Sequence, residues 1–459
     1  MAQGSGKPSV RIARAAPVAV VLTCAVTLLF GYLNKARCVG PPFDESGRSL
    51  RFDLIKDSAV CYSDIQYLWV GRDINLHVFP YVHGSLDAQG GLVGGAVEYP
   101  VLSGLLMWLG GIGAHTDAEF LRNSALVLAM FALVTAWMLA RMRGWAAMWF
   151  AASPPLVLYA FHNWELPVVA TTVAAMYLVT NENRWSLRTR GVSAGVLLGI
   201  GFCLKLYPGV FVLPLALYVL TGGERRTDAR DRRGALAVVG AAVATAVLVN
   251  LPFAVAGSRG WLASFVFQGQ RHADITTNSV WYWGLRRVFA RDEAGEHAYS
   301  DLVSVASPAL VLGSFAVAVW WGWRIMRRDG RYPWIGVSGA MLCAFLLFHK
   351  VHSPQYTLWL IPFFVVLAVP WQAVAAYLCA DLAIGVGVFR YFYRLATYQQ
   401  VETAERIVQF GVWGKAALLV FLAFAFVRAD RAQPPQRPVS GVESASRAVA
   451  AVRVPGPVT

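Results

Sequence analysis

Long apolar runs, separated by short polar segments, follow one another from one end of this chain to the other. Representative runs are Ala16–Leu33, Gly234–Val255, Leu302–Trp323 and Gly411–Val427. A helix rises about 1.5 Å per residue and the hydrocarbon core of a bilayer is about 30 Å thick, so each run is near the length that crosses a membrane. The pattern predicts an all-α polytopic membrane protein.

Composition and charge agree with this class. Hydrophobic residues make up 57% of the chain and charged residues only 14%, with a mean hydropathy of +0.50, whereas soluble domains are about 25% charged. The net charge of +14 is concentrated between the apolar runs, as in cytoplasmic loops under the positive-inside bias. We therefore expect contacts with membrane lipid headgroups and none with nucleic acid. The basic segments are Arg141–Arg143, Arg184–Arg190, Arg225–Arg233 and Arg324–Arg331.

These basic segments also predict a topology of about twelve spans with both termini in the cytoplasm. The run Tyr99–Gly113 is short and is interrupted by Pro100 and several glycines, so we expect a re-entrant or tilted element instead of a full span. The expected spans are Ala16–Leu33, Phe120–Ala140, Trp145–Ala160, Leu166–Thr180, Gly191–Leu204, Gly209–Leu220, Gly234–Val255, Leu302–Trp323, Trp334–Phe348, Thr357–Val369, Trp371–Val388 and Val408–Val427.

The same pattern divides the chain into a cytoplasmic N-terminus (1–15), a transmembrane domain (16–427) and a tail (428–459). The tail is rich in Pro, Ala, Ser and Arg, which predicts disorder on the cytoplasmic side. Two polar segments fall on the external side, a long first loop (34–97) and a second loop (257–300). Cys38 and Cys61 lie in the first loop and would form a disulfide if it faces an oxidising exterior; sidedness alone leaves this open.

With this topology, the residues suited to chemistry lie outside the membrane or at the outer ends of helices. They are Asp64, Glu98, Glu165, Lys205, Arg271, His349 and His352. A carboxylate at a membrane surface can act as a general base, which is one interpretation of Asp64. The other is a helix cap, because Ser63 or Asp64 could begin a helix at this point. Once the cationic residues are placed on the same face, the base becomes the better interpretation.

The cationic and protonatable residues suit a phosphate. A lysine between two apolar runs is costly unless it reaches a headgroup or an anion, and Lys205 could do either. Arg271 could form paired hydrogen bonds with a phosphate, although the neighbouring aromatic run Trp281–Phe289 suggests an amphipathic surface helix. His349, Lys350 and His352 suit the capture of a phosphate leaving group. Alternatives are a metal held by the two histidines, disfavoured because no acid lies nearby, or positions in the interfacial belt.

A further set of polar and aromatic residues is expected to contact the acceptor or the sugar. Trp164 could stack on a sugar or belong to the interfacial aromatic belt. Glu98 and Glu165 precede apolar runs, where the helix dipole alone would favour an acid. Arg72 and Asp73 are expected to pair locally. The set comprises Tyr62, Glu98, Tyr99, Asn163, Trp164 and Glu165.

The order of these motifs resembles that of the integral-membrane glycosyltransferases of family 87, in the GT-C superfamily, which include actinobacterial mannosyltransferases. The resemblance covers roughly Ala16 to Val427, and its individual motifs are short. They are Cys61-Tyr62-Ser63-Asp64, Pro80-Tyr81, Glu98-Tyr99-Pro100, Lys205-Leu206-Tyr207-Pro208 and the segment from His349 to Tyr356. Glu165 follows Asn163-Trp164 where many relatives carry a Gly-Gln-Asp type of turn, which leaves the acceptor open.

The resemblance implies a GT-C-type bundle and an inverting transferase. Such an enzyme moves a sugar, typically mannose, from a polyprenyl-phosphate donor to a lipid or lipoglycan acceptor on the external face of the plasma membrane. It implies that Asp64 is the base, that no cofactor is needed and that the reaction is metal-independent or only weakly metal-dependent. The residues implied to hold the donor phosphate are Lys205, Arg271, His349, Lys350 and His352. A base and a phosphate clamp on opposite sides of one cavity fit an in-line displacement.

Two other functions would also need spans and cationic phosphate contacts or a membrane location: a transporter or flippase of lipid-linked sugars, and a non-catalytic scaffold of the cell envelope. A transporter should carry ionisable residues near mid-membrane and internal repeats. The sequence shows no convincing repeat, and its conspicuous polar residues lie at the outer ends of the predicted spans. The transferase is therefore the favoured function.

Overall fold

The computed structural model describes residues 10–181, 185–224 and 230–429. Most of the predicted N-terminal segment (1–15) and nearly all of the predicted disordered tail (428–459) lie outside the described residues. The described chain is almost entirely helical, with one two-stranded antiparallel sheet, β1 (Ser85–Leu86) and β2 (Leu92–Val93).

The helices are α1 (Val10–Ala36), α2 (Arg51–Ile55), α3 (Asp64–Gly71), α4 (Val101–Gly111), α5 (Asp117–Arg143), α6 (Met148–Ala151), α7 (Pro154–Tyr159), α8 (Glu165–Thr180), α9 (Leu187–Leu204), α10 (Tyr207–Val210), α11 (Val212–Leu220), α12 (Arg232–Ala256), α13 (Ser258–Gln270), α14 (Val280–Trp283), α15 (Glu293–Asp329), α16 (Trp334–Phe348), α17 (Thr357–Val366), α18 (Trp371–Ala396) and α19 (Glu402–Arg428). Short 3-10 turns occupy Gly144–Ala147, Leu285–Val288 and Pro354–Tyr356.

Seven helical segments of the described chain are long and apolar enough to cross a membrane: Ala15–Ala36, Asp117–Ala151, Leu187–Leu204, Arg232–Ala256, Glu293–Asp329, Trp371–Ala396 and Glu402–Arg428. Five shorter apolar helices accompany them: Val101–Gly111, Glu165–Thr180, Tyr207–Leu220, Trp334–Phe348 and Pro354–Val366. Large apolar side chains on α12 and α15, among them Leu248 and Leu312, are exposed. A soluble protein would rarely leave so many uncovered. The prediction of an all-α polytopic membrane protein is confirmed.

Helix α4 occupies the short run that was expected not to span. Its 11 residues reach only about half of the hydrocarbon thickness at about 1.5 Å per residue. Both of its ends contact the first loop, because the Tyr81 hydroxyl donates to the Pro100 carbonyl at 3.0 Å and the His77 ring bonds to the Gly111 carbonyl. A Cβ on Gly104 would collide with the Tyr81 hydroxyl, so only glycine permits this close approach. The helix is therefore too short to cross a bilayer alone, and a re-entrant or tilted placement stays a prediction.

Three predicted segments have a different form in the structure. The expected span Trp145–Ala160 is broken, because α6 ends at Ala151 and α7 begins at Pro154; proline lacks the N–H that a continuous helix would use. The expected second loop (257–300) is largely helical, since it contains α13 and α14 and the first turns of α15, whose start is capped by the Asp292 side chain on the Gly295 N–H at 2.8 Å. The expected single surface helix Trp281–Phe289 is instead α14 followed by a 3-10 turn.

A buried ion pair joins α18 and α19. Lys415 Nζ lies 2.6 Å from Asp381 Oδ1 and 2.9 Å from the hydroxyl of Thr357, the first residue of α17. The side chains of the pair are 2% and 1% exposed. The expectation that the conspicuous polar residues lie at the outer ends of spans did not include this pair, which sits well inside both helices. Each partner is a single charge within an apolar run, so the sequence pattern did not reveal the match.

Candidate active site

Helix α3 is capped by Ser63, which leaves the Asp64 carboxylate available for other contacts. The Ser63 hydroxyl accepts from the Ile65 N–H at 3.2 Å and donates to the Phe161 carbonyl at 2.8 Å. Asp64 is the first helical residue, where the helix dipole stabilises a negative charge. The capping alternative for Asp64 is thus wrong, because its neighbour fills that role.

Both carboxylate oxygens of Asp64 accept hydrogen bonds. The Tyr62 hydroxyl donates to Oδ1 at 2.9 Å, and the Asn163 amide donates to Oδ2 at 2.6 Å. The same Asn163 nitrogen lies 2.7 Å from the Tyr99 hydroxyl, while the Trp164 N–H donates to Asn163 Oδ1 at 2.6 Å and so fixes the amide orientation. Asp64 itself is half-buried. The carboxylate is held rigidly yet remains accessible, as a general base requires.

Tyr62 lies in an aromatic cluster that closes one side of this carboxylate. Its ring centroid is 5.4 Å from that of His162, 5.8 Å from that of Phe389 and 5.8 Å from that of Phe52. Burial, followed by the negative charge of Asp64, raises the pKa of the Tyr62 hydroxyl well above its usual value. Tyr62 therefore stays protonated and acts as a donor to Asp64.

Lys35, at the end of α1, is a site residue that the sequence did not reveal. Its Nζ donates to the Tyr62 carbonyl at 2.7 Å, and the residue is 2% exposed. This contact fixes the backbone of the segment that leads into Asp64. A lysine at the end of an apolar run normally extends to the headgroups, so its sequence position suggests topology and not this contact.

The Cys38–Cys61 disulfide is present and joins the end of α1 to the segment before Asp64. The backbone N–H of Asp64 in turn donates to the His162 carbonyl at 2.8 Å. The first loop is thus tied to the end of α1 and to the turn between α7 and α8.

Glu165 and Lys205 form a buried ion pair with each other. The Trp359 indole N–H donates to the second Glu165 oxygen at 2.6 Å. Lys205 Nζ also lies 5.1 Å from the ring centroid of Tyr99 and 5.4 Å from that of Tyr356. The sequence assigned Glu165 to the sugar and Lys205 to the phosphate. The structure brings the two side chains together, so the Glu165 carboxylate balances the positive charge of Lys205. Tyr356 and Trp359 complete the set of residues around this ion pair. In the sequence, only their position shortly after His349 and His352 indicated that they could belong to the site.

Glu98 pairs with Arg72, at 2.6 Å between Nε and Oε2. The expected local pair of Arg72 with Asp73 is wrong, because the Asp73 carboxylate accepts from the Gly95 N–H at 3.1 Å. The Gln268 amide donates to the Glu98 carbonyl at 2.7 Å, which connects α13 to the first loop. Glu98 therefore shapes the wall of the site, and its carboxylate is occupied.

Trp164 does not present its ring to the site. It is 1% exposed and lies against Tyr99 and Phe120, with centroid separations of 6.1 and 6.2 Å. The expectation that it stacks on a sugar conflicts with this burial. Instead it supports Tyr99 from within the core.

Arg271, Lys350 and His349 converge between the end of α13 and the end of α16. Lys350 Nζ donates to the Gly269 carbonyl at 3.1 Å, and the His349 ring stacks on Phe345 at 4.6 Å. Burial lowers the pKa of Lys350, and the neighbouring Arg271 charge lowers it further. Burial also lowers the pKa of His349, helped by the charges of Lys350 and Arg271. The structure therefore brings two cations and a neutral imidazole together. A phosphate could bind to the two cations, whereas the histidine carries no charge to contribute.

His352 points away from these residues. It is 3% exposed, and its Nδ1 donates to the Leu346 carbonyl at 3.0 Å. Its Nε2 has no partner among the described residues and lines a cavity of about 10 Å³ together with Asn278 and Lys415. Burial, with the Lys415 charge, lowers its pKa well below the usual value. The expected direct phosphate contact by His352 is not supported by this position.

Among the residues that the structure describes, no group of three or more His, Cys, Asp or Glu side chains is arranged to hold a metal ion.

Comparison with known proteins gives a match to one family. The model of glycosyltransferase family 87 matches residues 98–354 of this chain. No curated protein matches it. Two solved structures are similar in fold, both of ArnT from Cupriavidus metallidurans. For the structure bound to undecaprenyl phosphate, the TM-score is 0.41 and the sequence identity 15%. The alignment covers 96% of this chain and 82% of the ArnT chain. The apo structure has a TM-score of 0.40 and 16% identity, and covers 96% and 81%.

Proposed function

Since the chain belongs to glycosyltransferase family 87 and is a multi-pass membrane protein, we propose that it transfers a sugar from a polyprenyl-phosphate donor to a lipid-linked glycan acceptor. The proposed sugar is mannose, and the proposed site faces the exterior of the plasma membrane. The single observation that carries the proposal is the Asp64 carboxylate, which is half-buried and hydrogen-bonded through both oxygens. Its partner Asn163 also contacts Tyr99, whose ring centroid lies 5.1 Å from Lys205 Nζ.

In the proposed reaction, Asp64 accepts the proton of an acceptor hydroxyl. The freed oxygen lone pair forms a bond to the anomeric carbon, while the bond from that carbon to the donor phosphate oxygen breaks. The electron pair of the broken bond leaves with the phosphate, so the anomeric configuration inverts. Tyr62 and Asn163 hold the carboxylate in place, which matters because in-line attack depends on alignment.

The leaving phosphate is the proposed ligand of Arg271 and Lys350. Charged donors aimed at the oxygen that gains negative charge lower the barrier of such a displacement. His349 would act as a neutral hydrogen-bond partner. Lys205 would join them only by sharing or leaving its contact with Glu165, and we propose that it does so when the donor is bound.

The test is a transfer assay with purified protein, polyprenyl-phosphomannose and a lipid extract. We expect a mannosylated lipid as the product. Asp64→Asn should abolish transfer without changing expression, because an amide cannot accept the proton. Asp57→Asn is the matched control, since Asp57 lies in the same loop and its carboxylate makes no hydrogen bond in the described structure.

Full turnover by the Asn variant would show that Asp64 is not the base. Absence of transfer from every polyprenyl-phosphate sugar would reject the transferase. The further proposal that no cofactor or metal is needed predicts unchanged turnover after chelation with EDTA; a loss that magnesium restores would contradict it.

One observation favours a second candidate, transport of lipid-linked sugars. The Lys415–Asp381 pair lies within two apolar helices, where ionisable residues often mark transport pathways. Reconstituted vesicles distinguish the two functions. A transporter would move a labelled polyprenyl-phosphate sugar between leaflets with no acceptor present, whereas the proposed transferase would not.

A further inference from the structure

The outer ends of α18 and α19 enclose a cavity that is separate from the Asp64 site. We call it the hairpin groove and define it by Ala383, Gly387, Arg390, Arg394, Thr403 and Ile407. Its volume of about 360 Å³ falls within the range of roughly 300–1,000 Å³ typical of ligand sites. We propose that the hairpin groove binds an anionic phospholipid, with the headgroup phosphate between the two arginines and an acyl chain along α19.

The charge of the groove suits a phosphate. Arg390 and Arg394 are four residues apart on α18 and so share one helix face. Arg394 Nη1 donates to the Gln400 carbonyl at 3.0 Å, which anchors its guanidinium and leaves other N–H groups free. Arg390 has no hydrogen bond or ion pair in the part of the chain that the structure describes. The arginine fork matches phosphate oxygens.

Nearby carboxylates do not neutralise these arginines. The lining residues include no Asp or Glu. Glu405 is paired with Arg287. Glu402 is exposed and precedes the lining residue Thr403, but it does not itself line the groove. An anion is therefore the complementary occupant.

The floor of the groove is apolar and continues into the lipid-facing side of α19. A Cβ on Gly387 would lie 3.1 Å from the Ile407 side chain, so the glycine permits the close approach of α18 and α19 at this floor. Ile407 is 45% exposed, and Phe410 and Trp413, further along α19, are 70% and 56% exposed. An inorganic anion would use only the arginines, whereas a phospholipid would also cover this apolar surface. The combination of two arginines with an adjoining apolar surface thus favours a phospholipid over a free anion.

The groove lies beside the Asp64 site without opening into it. Phe389, the residue before Arg390, faces the Tyr62 ring at 5.8 Å, whereas Arg390 is exposed on a neighbouring face of α18. Lipid binding here is therefore independent of the proposed transfer reaction and can be measured without it.

The experiment measures binding of radiolabelled phosphatidylglycerol to the purified full chain in detergent. We expect saturable binding that weakens at least tenfold in Arg390→Gln/Arg394→Gln. The double substitution removes two positive charges, each of which attracts an anionic headgroup and so contributes to the affinity. Ala383→Trp fills the groove without changing its charge and should weaken binding similarly. The charge-matched control, Arg259→Gln/Arg291→Gln, removes two exposed arginines outside the groove and should bind normally.

Two competitors test the chemical class. Zwitterionic phosphatidylcholine should compete at least tenfold less well than phosphatidylglycerol, and millimolar inorganic phosphate should not compete. Melting temperatures of all variants identify any that fail to fold. The proposal is overturned if the control loses as much affinity as the double arginine variant, if properly folded groove variants bind normally, if phosphatidylcholine competes equally, or if free phosphate displaces the lipid.

Discussion

At the residue scale, Asn163 connects the two halves of the carboxylate site. Its amide nitrogen contacts both Asp64 and Tyr99, and its oxygen is fixed by the Trp164 N–H. The sequence placed Asn163 among the sugar contacts, but in the structure it orients the Asp64 carboxylate. A side chain held at both ends restricts the carboxylate to one position.

Asn163→Ala should therefore lower kcat by roughly 10- to 100-fold, because small displacements of a catalytic group carry penalties of this size. KM for the donor should change little, since in the described structure the Asn163 side chain bonds to Asp64, Tyr99 and the Trp164 N–H and not to Arg271 or Lys350. Steady-state transfer rates provide the measurement. Asn123→Ala removes a partly exposed amide on α5 and should leave kcat unchanged; equal losses in both variants would contradict the positioning role.

The buried imidazoles predict how stability depends on pH. Burial lowers the pKa of His162, His349 and His352 below the ordinary value, which is about 6.5. Below that value the unfolded chain binds more protons than the folded protein, so stability falls as pH falls. The contribution is complete above about pH 6.5 and is lost as the pH falls from there through the lowered folded-state pKa values. Melting temperatures in detergent from about pH 8 to about pH 5 should decline accordingly.

His352→Gln should flatten this decline, because glutamine does not titrate. His297→Gln, at a side chain that is 75% exposed, serves as the control and should keep it. A melting temperature that rises with acidification would contradict the prediction.

Individual site residues could be predicted only in part. Asp64, Arg271, His349 and Lys350 were identified because each is a polar residue in a predicted external loop or at the outer end of an apolar run, a signal that the sequence carries directly. The pairing of Glu165 with Lys205, and of Glu98 with Arg72, depends on tertiary contacts between distant segments. Lys35 and Lys415 were missed because a single lysine in or beside an apolar run has the same appearance whether it reaches headgroups or a buried partner.

At the element scale, the packing of α17, α18 and α19 depends on the Lys415–Asp381 pair. Removing one partner of a buried pair leaves an uncompensated charge, at a cost of about 3–5 kcal/mol. Lys415→Met should therefore lower the free energy of unfolding by about that amount, measured by denaturation in detergent. Lys415→Met/Asp381→Leu should recover most of the loss, since apolar replacements of both partners are often neutral.

Arg188→Met provides the comparison, because its pair with Asp231 is exposed and should cost less than about 1 kcal/mol. If the double variant were as unstable as Lys415→Met, the uncompensated charge would not be the cause.

Hydropathy predicts most of the long helices because lipid contact requires an apolar surface over the whole length of a span. It misses the break at Pro154, since the flanking residues remain apolar. It also misses α13, whose polar and apolar residues are mixed over a length too short for a clear pattern. A short helix such as α13 has neither the long apolar run that identifies a span nor the mainly polar composition that identifies a loop.

At the scale of the whole molecule, the Cys38–Cys61 disulfide offers a test of sidedness. The two cysteines are 23 residues apart, and a bridge over a loop of this size typically contributes about 2–4 kcal/mol. On intact cells, a membrane-impermeant maleimide should label this pair only after treatment with an impermeant reductant. Labelling is read as a mobility shift on a gel.

Cys38→Ser/Cys61→Ser is the control and should give no such reductant-dependent signal, with a lower melting temperature. Labelling that appears only after permeabilisation would place the first loop on the cytoplasmic side and contradict the proposed external site.

The pairing of Glu165 with Lys205 has a consequence for selectivity among anions. An anion that recruits Lys205 must compete with an internal carboxylate, and it leaves that carboxylate buried without its counter-charge. Small anions with few other contacts cannot offset this cost, whereas a ligand that also engages Arg271, Lys350 and the aromatic rings can. The Glu165 carboxylate thus competes with external anions for Lys205, and this competition weakens the binding of free phosphate to the empty site.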